Sequence, residues 1–407
     1  MPTTPSNPFV SITPSSTGDK GSDLSASNNF EGGANTGQLK GQGTVKVNRF
    51  SRLAFTGTAR QLFGIHFVNI LLSLVTLGVW IPWARVRNRR FFYGNTRVLD
   101  NGIDYLATGF ALFKGWILVL FALLIFYVTP YFAEGLPYIQ EGLSVIFVFI
   151  YPWALNKSIY FNARNLAWRD VRFDWKGGYF GAAWYFFLFP IIGILSLGLL
   201  IPLMSCKARQ YIVNNYRFGQ ASFDARLEIG PFYGAAIQTI FAFIVMLIIV
   251  FIMSVGLVFV ALGNQMTFSI FDNFILLTTL ETSQIVRYSL YFIPLLFLAI
   301  FYATAAFYHA STRNIMVNAL KLQGGVKFRS ELSGGKLAWI MISNSLAVIL
   351  SFGLLWPWAQ VRRYRYLVES TQLRPSDNID SFVDSQSRAG HSIGDAASDA
   401  GGIELQF

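Results

Sequence analysis

The feature that most limits the fold of this chain is a junction at Ser73–Arg90, SLVTLGVWIPWARVRNRR. An apolar run stops at Gly78, Pro82-Trp83-Ala84 follows, and arginines begin at Arg85. Glycine ends helices because it takes positive φ without a Cβ penalty. Proline opens them because the N–H it lacks would be unpaired in the first turn. The junction predicts a break between a membrane-buried helix and a basic helix that emerges at the surface. It also recurs. Pro82, Pro152, Pro202 and Pro357 are each followed five residues later by a cation: Arg87, Lys157, Lys207 and Arg362. Thirteen residues after the first three prolines stand Asn95, Asn165 and Asn215, with Ser370 in the fourth place. Nine residues beyond the asparagines come Asp104, Asp174 and Asp224. Coordinated offsets predict internal duplication of one unit. The unit reads as an apolar arm, a Gly/Pro break, a basic helix, an asparagine that stops it in the left-handed conformation, and a short strand. A degenerate fifth copy ends in Arg313-Asn314, with Phe301 in the place of its proline.

Composition says where the arms go. Of 407 residues 53% are hydrophobic, 39 are Phe and only 13% are charged, about half the share of an ordinary soluble domain. Phe241–Ala261 is uncharged over 21 residues, enough to cross a hydrocarbon core of roughly 30 Å. Basic clusters at 40–60, 85–97, 157–176, 207–226, 313–336 and 362–374 alternate with apolar runs and read as cytoplasmic loops. The chain is expected to be an all-α polytopic membrane protein built from internal repeats, with a small cytoplasmic β layer. Alternating pieces at Val45–Phe50, Val171–Trp175 and Val326–Arg329 supply that layer. A polar extension over 1–43, a transmembrane domain over 44–372 and a disordered Ser/Asp/Gly-rich tail over 373–407 make up the domains. Met1–Gly43 has no apolar core, so no signal peptide is expected there.

Two apolar stretches are long and interrupted by acidic loops, Thr129–Glu141 and Gly263–Gln284. They predict two-span hairpins, 115–130 with 142–158 and 232–262 with 286–308. The other three, 61–84, 178–206 and 337–359, are roughly 23 to 29 residues long, too short for two crossings. Yet each carries basic clusters at both ends, against the positive-inside bias for a single crossing. Either they span once, with an asparagine in the bundle interior, or they re-enter as hairpins hinged mid-run at Asn69, at Phe189-Pro190 and at Asn344.

At these residues the chain resembles the YjgN-like family of bacterial inner-membrane proteins, whose biochemical role is undefined. The resemblance is carried by Phe55-Thr-Gly57, Leu77-Gly-Val-Trp-Ile-Pro-Trp-Ala84, Arg87 and Asn95-Thr96. Leu354-Leu-Trp-Pro-Trp-Ala359 and Arg362 extend it, and Pro152-Trp-Ala154 repeats its core element. It covers about 50–372, departs at Pro202-Leu-Met, and lacks a counterpart for the long polar extension. It implies a multi-pass protein of the inner membrane; the basic clusters, read as cytoplasmic, place the C-terminus in the cytoplasm. It supplies no reaction, substrate or catalytic residue.

No catalytic pattern stands out: no Walker loop, dinucleotide fingerprint, HExxH, CxxC or nucleophile elbow. The single cysteine, Cys206, excludes an intramolecular disulfide framework or a cysteine-based metal cluster. No catalytic residue, cofactor or metal is expected. Polar groups at membrane depth are the functional candidates, here His66, Asn69, Ser343, Asn344, Ser345 and His309, a candidate substrate pathway. Arg87, Lys157, Lys207 and Arg362 are candidate ligands for lipid phosphates, or plain interfacial anchors. Pro82, Trp83, Asn95, Pro152, Asn165, Pro202, Asn215, Pro357 and Trp358 carry the repeat. No carboxylate falls inside a predicted apolar run, which counts against proton- or sodium-coupled carriage through an Asp or Glu. The expected partners are membrane lipids with anionic headgroups and not nucleic acid. A homo-oligomer and an unidentified small solute stay open. Duplication and mid-depth polar residues favour small-solute transport or a channel. The alternative is a lipid-binding or scaffolding membrane protein, and an enzyme is disfavoured.

Overall fold

Eleven strands of two to five residues decide the architecture. The structure is a computed structural model and describes residues 49–132, 138–262 and 284–399, all within one unit, Lys46–Phe407. In chain order the strands are β1 (Ser51–Arg52), β2 (Ala54–Phe55), β3 (Thr96–Val98), β4 (Asn101–Tyr105), β5 (Leu166–Trp168) and β6 (Val171–Trp175). Then come β7 (Tyr216–Phe218), β8 (Ala221–Asp224), β9 (Lys321–Leu322), β10 (Val326–Ser330) and β11 (Thr371–Arg374). They form one antiparallel sheet in the order β1-β11-β10-β9-β8-β7-β6-β5-β4-β3-β2. Only Leu53 separates β1 from β2, and its N–H donates to the Thr371 carbonyl at 3.0 Å. Both ends of the sheet therefore lie in one five-residue segment, which pairs with β11 on one side and β3 on the other. The result is a nearly closed barrel, which leaves almost no open edge to pair with another chain.

This overturns the expected all-α protein with a small β layer. Most of the strands are too short for a period of two to show, and the decisive pairing joins Ser51 to Leu373, far apart in sequence. The alternating pieces at Val171–Trp175 and Val326–Arg329 do lie in β6 and β10. Among the described residues pairing begins at Ser51, and residues 45–48 of the Val45–Phe50 piece lie outside the described residues. Tight turns join the hairpins. Leu99-Asp100 and Arg169-Asp170 all take positive φ, between 47° and 65°, which matches the right-handed twist of paired strands.

Ten helices leave and rejoin this ring in five pairs among the described residues. The pairs are α1 (Ala59–Val75) with α2 (Ile81–Gly94), α3 (Gly109–Phe132) with α4 (Ile139–Arg164), and α5 (Tyr179–Leu195) with α6 (Ile201–Asn215). They continue with α7 (Ile229–Leu262) and α8 (Gln284–Ala319), then α9 (Gly334–Leu350) and α10 (Trp356–Glu369). Each pair departs after one strand and returns before the next, so both of its ends sit on the same barrel. The acidic interruption at Gly263–Gln284 lies, but for Gln284, outside the described residues, as does the polar extension 1–43.

The three shorter runs do reverse, but not at mid-run. Each arm is helical through Asn69, Phe189 or Asn344, and the reversal falls just before the proline. Leu77-Gly78, Leu197-Gly198 and Phe352-Gly353 repeat one turn, with φ of 50° and 89°, 52° and 85°, and 50° and 88°. In each the glycine N–H reaches back to a carbonyl of the arm, at Ser73, Gly193 and Val348 (2.7, 3.0 and 2.8 Å). The hydroxyl one residue ahead of each pair accepts from the first turn of the next helix. Thr76 takes Trp80 N, Ser196 takes Leu200 N and Ser351 takes Leu355 N, at 3.0, 3.2 and 3.1 Å. One side chain thus closes one helix and opens the next. Pro152 has no such break, since α4 runs straight through it.

The asparagine stop also works differently from expectation. Asn95 and Asn165 sit at φ −92° and −91°, outside the left-handed region. Their side-chain amides donate to the carbonyls of Phe91 and Phe161, and Asn215 does the same to Tyr211, at 2.7 to 2.8 Å. Ser370 Oγ repeats this on Tyr366 at 2.6 Å. A last-turn carbonyl is thereby satisfied by the side chain instead of by a glycine-like backbone. In the fifth copy α8 runs past Asn314 to Ala319.

Inside the barrel, residues beside the hairpin turns form the core: Val98, Trp168, Val171, Phe218, Ala221, Leu322 and Val326. One more helix, α11 (Ile379–Asp399), covers this end. The sequence reading placed it in a disordered tail, from which it differs up to Asp399. Averaged composition hides a narrow stripe, Ile379, Phe382 and Val383, that meets the barrel core. Arg169 pairs with Asp380 at 2.7 Å, and Gln386 Oε1 accepts from Gln220 N and Ala221 N. Val383 is 2% exposed. Val383→Asp would bury an unpaired carboxylate and undock α11. Trypsin should then cut at Arg388 at least about tenfold faster than in wild type, with Asp384→Ala as an unaffected control. Equal cleavage rates would show that α11 is not held by this contact.

Candidate functional site

Two helix pairs carry the same polar chemistry at matching positions, and they use it differently. In α9/α10 Asn344 is 7% exposed and fully engaged. Its Nδ2 donates to the Ala359 carbonyl at 2.9 Å, and its Oδ1 accepts from Arg362 Nη1 at 3.0 Å. The same Nη1 lies 2.7 Å from Ser343 Oγ, and the guanidinium lies 5.2 Å from the centre of the Trp358 ring. Arg362, expected at the interface, and Ser343 and Asn344, expected in the substrate pathway, are therefore one cluster that ties α10 to its arm.

In α1/α2 the matching asparagine is Asn69, 5% exposed. Its Oδ1 accepts from Trp80 Nε1 at 3.4 Å, but its Nδ2 is buried with no partner, as is His66 Nδ1 one turn earlier. Arg87, in the place of Arg362, lies 5.3 Å from the centre of the Trp80 ring and donates to no group among the described residues. The local cause is at residue 68. Valine stands where the other pair has Ser343, so Arg87 has no hydroxyl to dock on. Between the two helices an open groove of about 450 Å³ results, lined by Gly64, Ile65, Val68, Arg87, Arg90 and Phe91. A Cβ added at Gly64 would meet nothing within 4 Å. Arg90 is fixed at the mouth by the carbonyls of Tyr105 and Ala107, at 3.3 and 2.8 Å.

The other expected residues lie apart from this groove. Lys157 is exposed, 6.0 Å from the Tyr160 ring centre, and Lys207 is half-buried beside Cys206. Ser345 is exposed on α9, and His309 faces arginines of three helices. Trp83 stacks on Trp80 at 5.5 Å and fills the space over Gly109, where a Cβ would collide with it. Pro82, Pro202 and Pro357 open α2, α6 and α10, and Pro152 is buried inside α4. Sequence reasoning missed Gly64, Val68 and Arg90. The available signal was the contrast between Val68-Asn69 and Ser343-Asn344, visible once the pairs are aligned. Near the ring, burial raises the pKa of Tyr364 against the opposing Thr96 hydrogen bond, and of Tyr93 against the charge of Arg89.

Comparison with known proteins places the chain. Residues 50–400 match the family described as "Bacterial protein of unknown function (DUF898)". The chain belongs to this family. It is 26% identical over 376 residues to "Inner membrane protein YjgN" of Salmonella typhimurium, covering 81% of this chain and 90% of that one. It is 27% identical over 144 residues to the protein of that name from Escherichia coli O157:H7, covering 35% and 36%. No solved structure matches. Among the described residues three helical segments are long and apolar enough to cross a membrane: Gly109–Phe132, Ile139–Arg164 and Ile229–Gly256. This is a membrane protein of the bacterial inner membrane.

The two asparagines should respond unequally to removal. Asn344→Leu removes two bonds, one of them from a charged guanidinium that is left with Ser343 alone, and should cost about 2–3 kcal/mol. Asn69→Leu removes one long bond and an amide already without a partner, and should cost under about 1 kcal/mol. Thermal unfolding in detergent measures both, and an equal or reversed order would refute the reading of these pairs.

Proposed function

We propose that the protein is a multi-pass, lipid-binding scaffold of the inner membrane, built from five copies of one ring-anchored module, with barrel and C-terminus in the cytoplasm. What supports the lipid reading is the α1/α2 groove. An apolar floor of Ile65, Val68 and Phe91 suits an acyl chain, and a guanidinium without a protein acceptor suits a phosphate at its mouth. Supporting immersion, the tips of the three short pairs are bare hydrocarbon: Leu77, Leu197 and Phe352 are 94%, 93% and 97% exposed. Fully exposed apolar side chains at the farthest reach of a hairpin fit lipid far better than water.

Transport is the other reading. Its candidate pathway runs through His66, Asn69, Ser343, Asn344, Ser345 and His309, and the engagement of Ser343 and Asn344 with Arg362 counts against it. Solute flux in liposomes that is lost on Asn69→Leu would restore it.

Native mass spectrometry tests the lipid reading. Wild type should retain an anionic phospholipid. Gly64→Phe, which fills the groove, and Arg87→Gln, which removes the charge, should each lose most of it. Val68→Ser should also lower retention with the charge intact, because it offers Arg87 the hydroxyl that Ser343 offers Arg362. Unchanged retention in all three would defeat the proposal. For topology, cysteines placed at Asn101, Gln220 and Gln323 should react with impermeant thiol reagents only from the cytoplasmic side. Native Cys206 is buried and gives little background. Labelling of Gln220→Cys from the periplasm would overturn the arrangement.

A further inference from the structure

Three helices away from the groove bring cations together without a carboxylate. The central one is α8. Its Tyr308 hydroxyl lies 2.7 Å from Ser205 Oγ of α6, and its Arg313 Nη2 donates to the Leu367 carbonyl of α10 at 3.2 Å. These contacts fix the level of all three helices. Arg209 stands one turn beyond Ser205, His309 adjoins Tyr308 one turn before Arg313, and Arg363 stands one turn before Leu367. Arg209, His309, Arg313 and Arg363 thus converge, and the charges of all three arginines bear on His309.

Arg313 is committed to the scaffold. Nη1 donates to Ser330 Oγ at 2.9 Å, and Nη2 also reaches Thr371 Oγ1 at 2.8 Å. Arg209 and Arg363 donate to no group among the described residues. No counter-ion is within the helices either: α6, α8 and α9 contain no Asp or Glu, and α10 has only Glu369, exposed in its last turn. Among the described residues the ion pairs are Arg169–Asp380 and Arg329–Glu331, on the strands and α11. Arg209 and Arg313 are half-buried, so these two like charges are held together where water screens them incompletely, while His309 and Arg363 are exposed at the open side of the cluster. A fixed cluster of this kind lowers its own free energy by taking up an anion.

We infer that Arg209, His309, Arg313 and Arg363 form a second site, for a phosphate-bearing anion, with Arg313 as its fixed base and Arg209 and Arg363 as the donors that close on the ligand. Guanidinium groups match phosphate oxygens in bidentate geometry, which suits this ligand better than a halide. The site uses no residue of the α1/α2 groove and does not rest on the lipid reading of it.

Two arms separate the sources of the phosphate. In the first, full-length protein in lipid-free detergent is titrated with sodium phosphate, against sodium chloride at equal ionic strength, and followed by thermal unfolding. In the second, nanodiscs of phosphatidylcholine containing phosphatidylglycerol are analysed by native mass spectrometry for retained anionic lipid. Saturable stabilisation in the first arm identifies a free phosphate compound. Retention in the second arm alone identifies a lipid headgroup. In either, the double variant Arg209→Gln/Arg363→Gln should bind at least about tenfold more weakly, as expected for the loss of charge-assisted hydrogen bonds. Arg87→Gln should leave this site unchanged, so loss of the groove and loss of this site can be told apart. The double lysine variant keeps the charge and should fall between, which guards against a folding defect in the glutamine form. Wild type that binds in neither arm, or a glutamine variant that matches it in both, would overturn the inference.

Discussion

Closure of the strand ring through Ser51–Phe55 is the constraint on which the rest depends. Each residue of that segment serves one neighbour or the other, so the chain's two halves are locked together where β11 and β3 flank it. Once the ring exists, no helix can leave it without its partner returning. Seventeen residues of helix rise about 25 Å, so α1 and α9 fall short of the roughly 30 Å hydrocarbon core. They reverse at a hydroxyl–apolar–glycine turn and come back. The longer arms, α3 and α7, have the length to cross it. Arm length alone distinguishes the short pairs from the long ones, and the anchoring is the same for both.

Parts of this were legible in the sequence, for reasons tied to particular residues. Proline offsets located the starts of α2, α6 and α10 because Pro fixes the first turn by local chemistry alone. Asn95, Asn165 and Asn215 marked helix ends correctly, but through an amide-to-carbonyl bond that spacing cannot distinguish from a left-handed stop. The barrel was not legible. Its strands are as short as Lys321–Leu322, and their partners are chosen by ring closure instead of by neighbours in sequence. The hinge was misplaced because Asn69 and Asn344 sit at mid-run and look like breaks. They are buried side chains that face the returning helix, while the reversal is at Leu77-Gly78 and its counterparts.

A chain with 32 basic and 21 acidic residues has to place its excess cations, and several arginines here are spent on carbonyl oxygens. Arg90 takes Tyr105 and Ala107, Arg365 takes Gly57, and Arg313 takes Leu367. Carbonyls near helix ends and strand ends carry partial negative charge, so they hold a guanidinium without the desolvation of a second ion. These bonds also stitch one helix pair to the strands of the next. Arg365 joins α10 to the segment after β2, across the point where the ring closes. Cations used this way are structural, unlike Arg87, Arg209 and Arg363, which donate to no group among the described residues.

Arg87 and Arg362 show how little separates the two uses. Both stand five residues after a proline, both lie over a tryptophan, and both face an asparagine on the arm. With Ser343 present, the guanidinium has two acceptors within 3.0 Å and the pair closes around it. With Val68 in that place, a single acceptor is left, and Trp80 Nε1 already occupies it. The balance then shifts to the tryptophan face, worth about 0.5–1 kcal/mol at an exposed site, and Asn69 Nδ2 is left unpaired. The Ser343 hydroxyl replaced by the branched Val68 side chain, together with Trp80 in the place of Leu355, turns a fastening into an opening. The ring thus carries one pair closed around its arginine and one whose arginine donates to no group among the described residues, with the same turn in both.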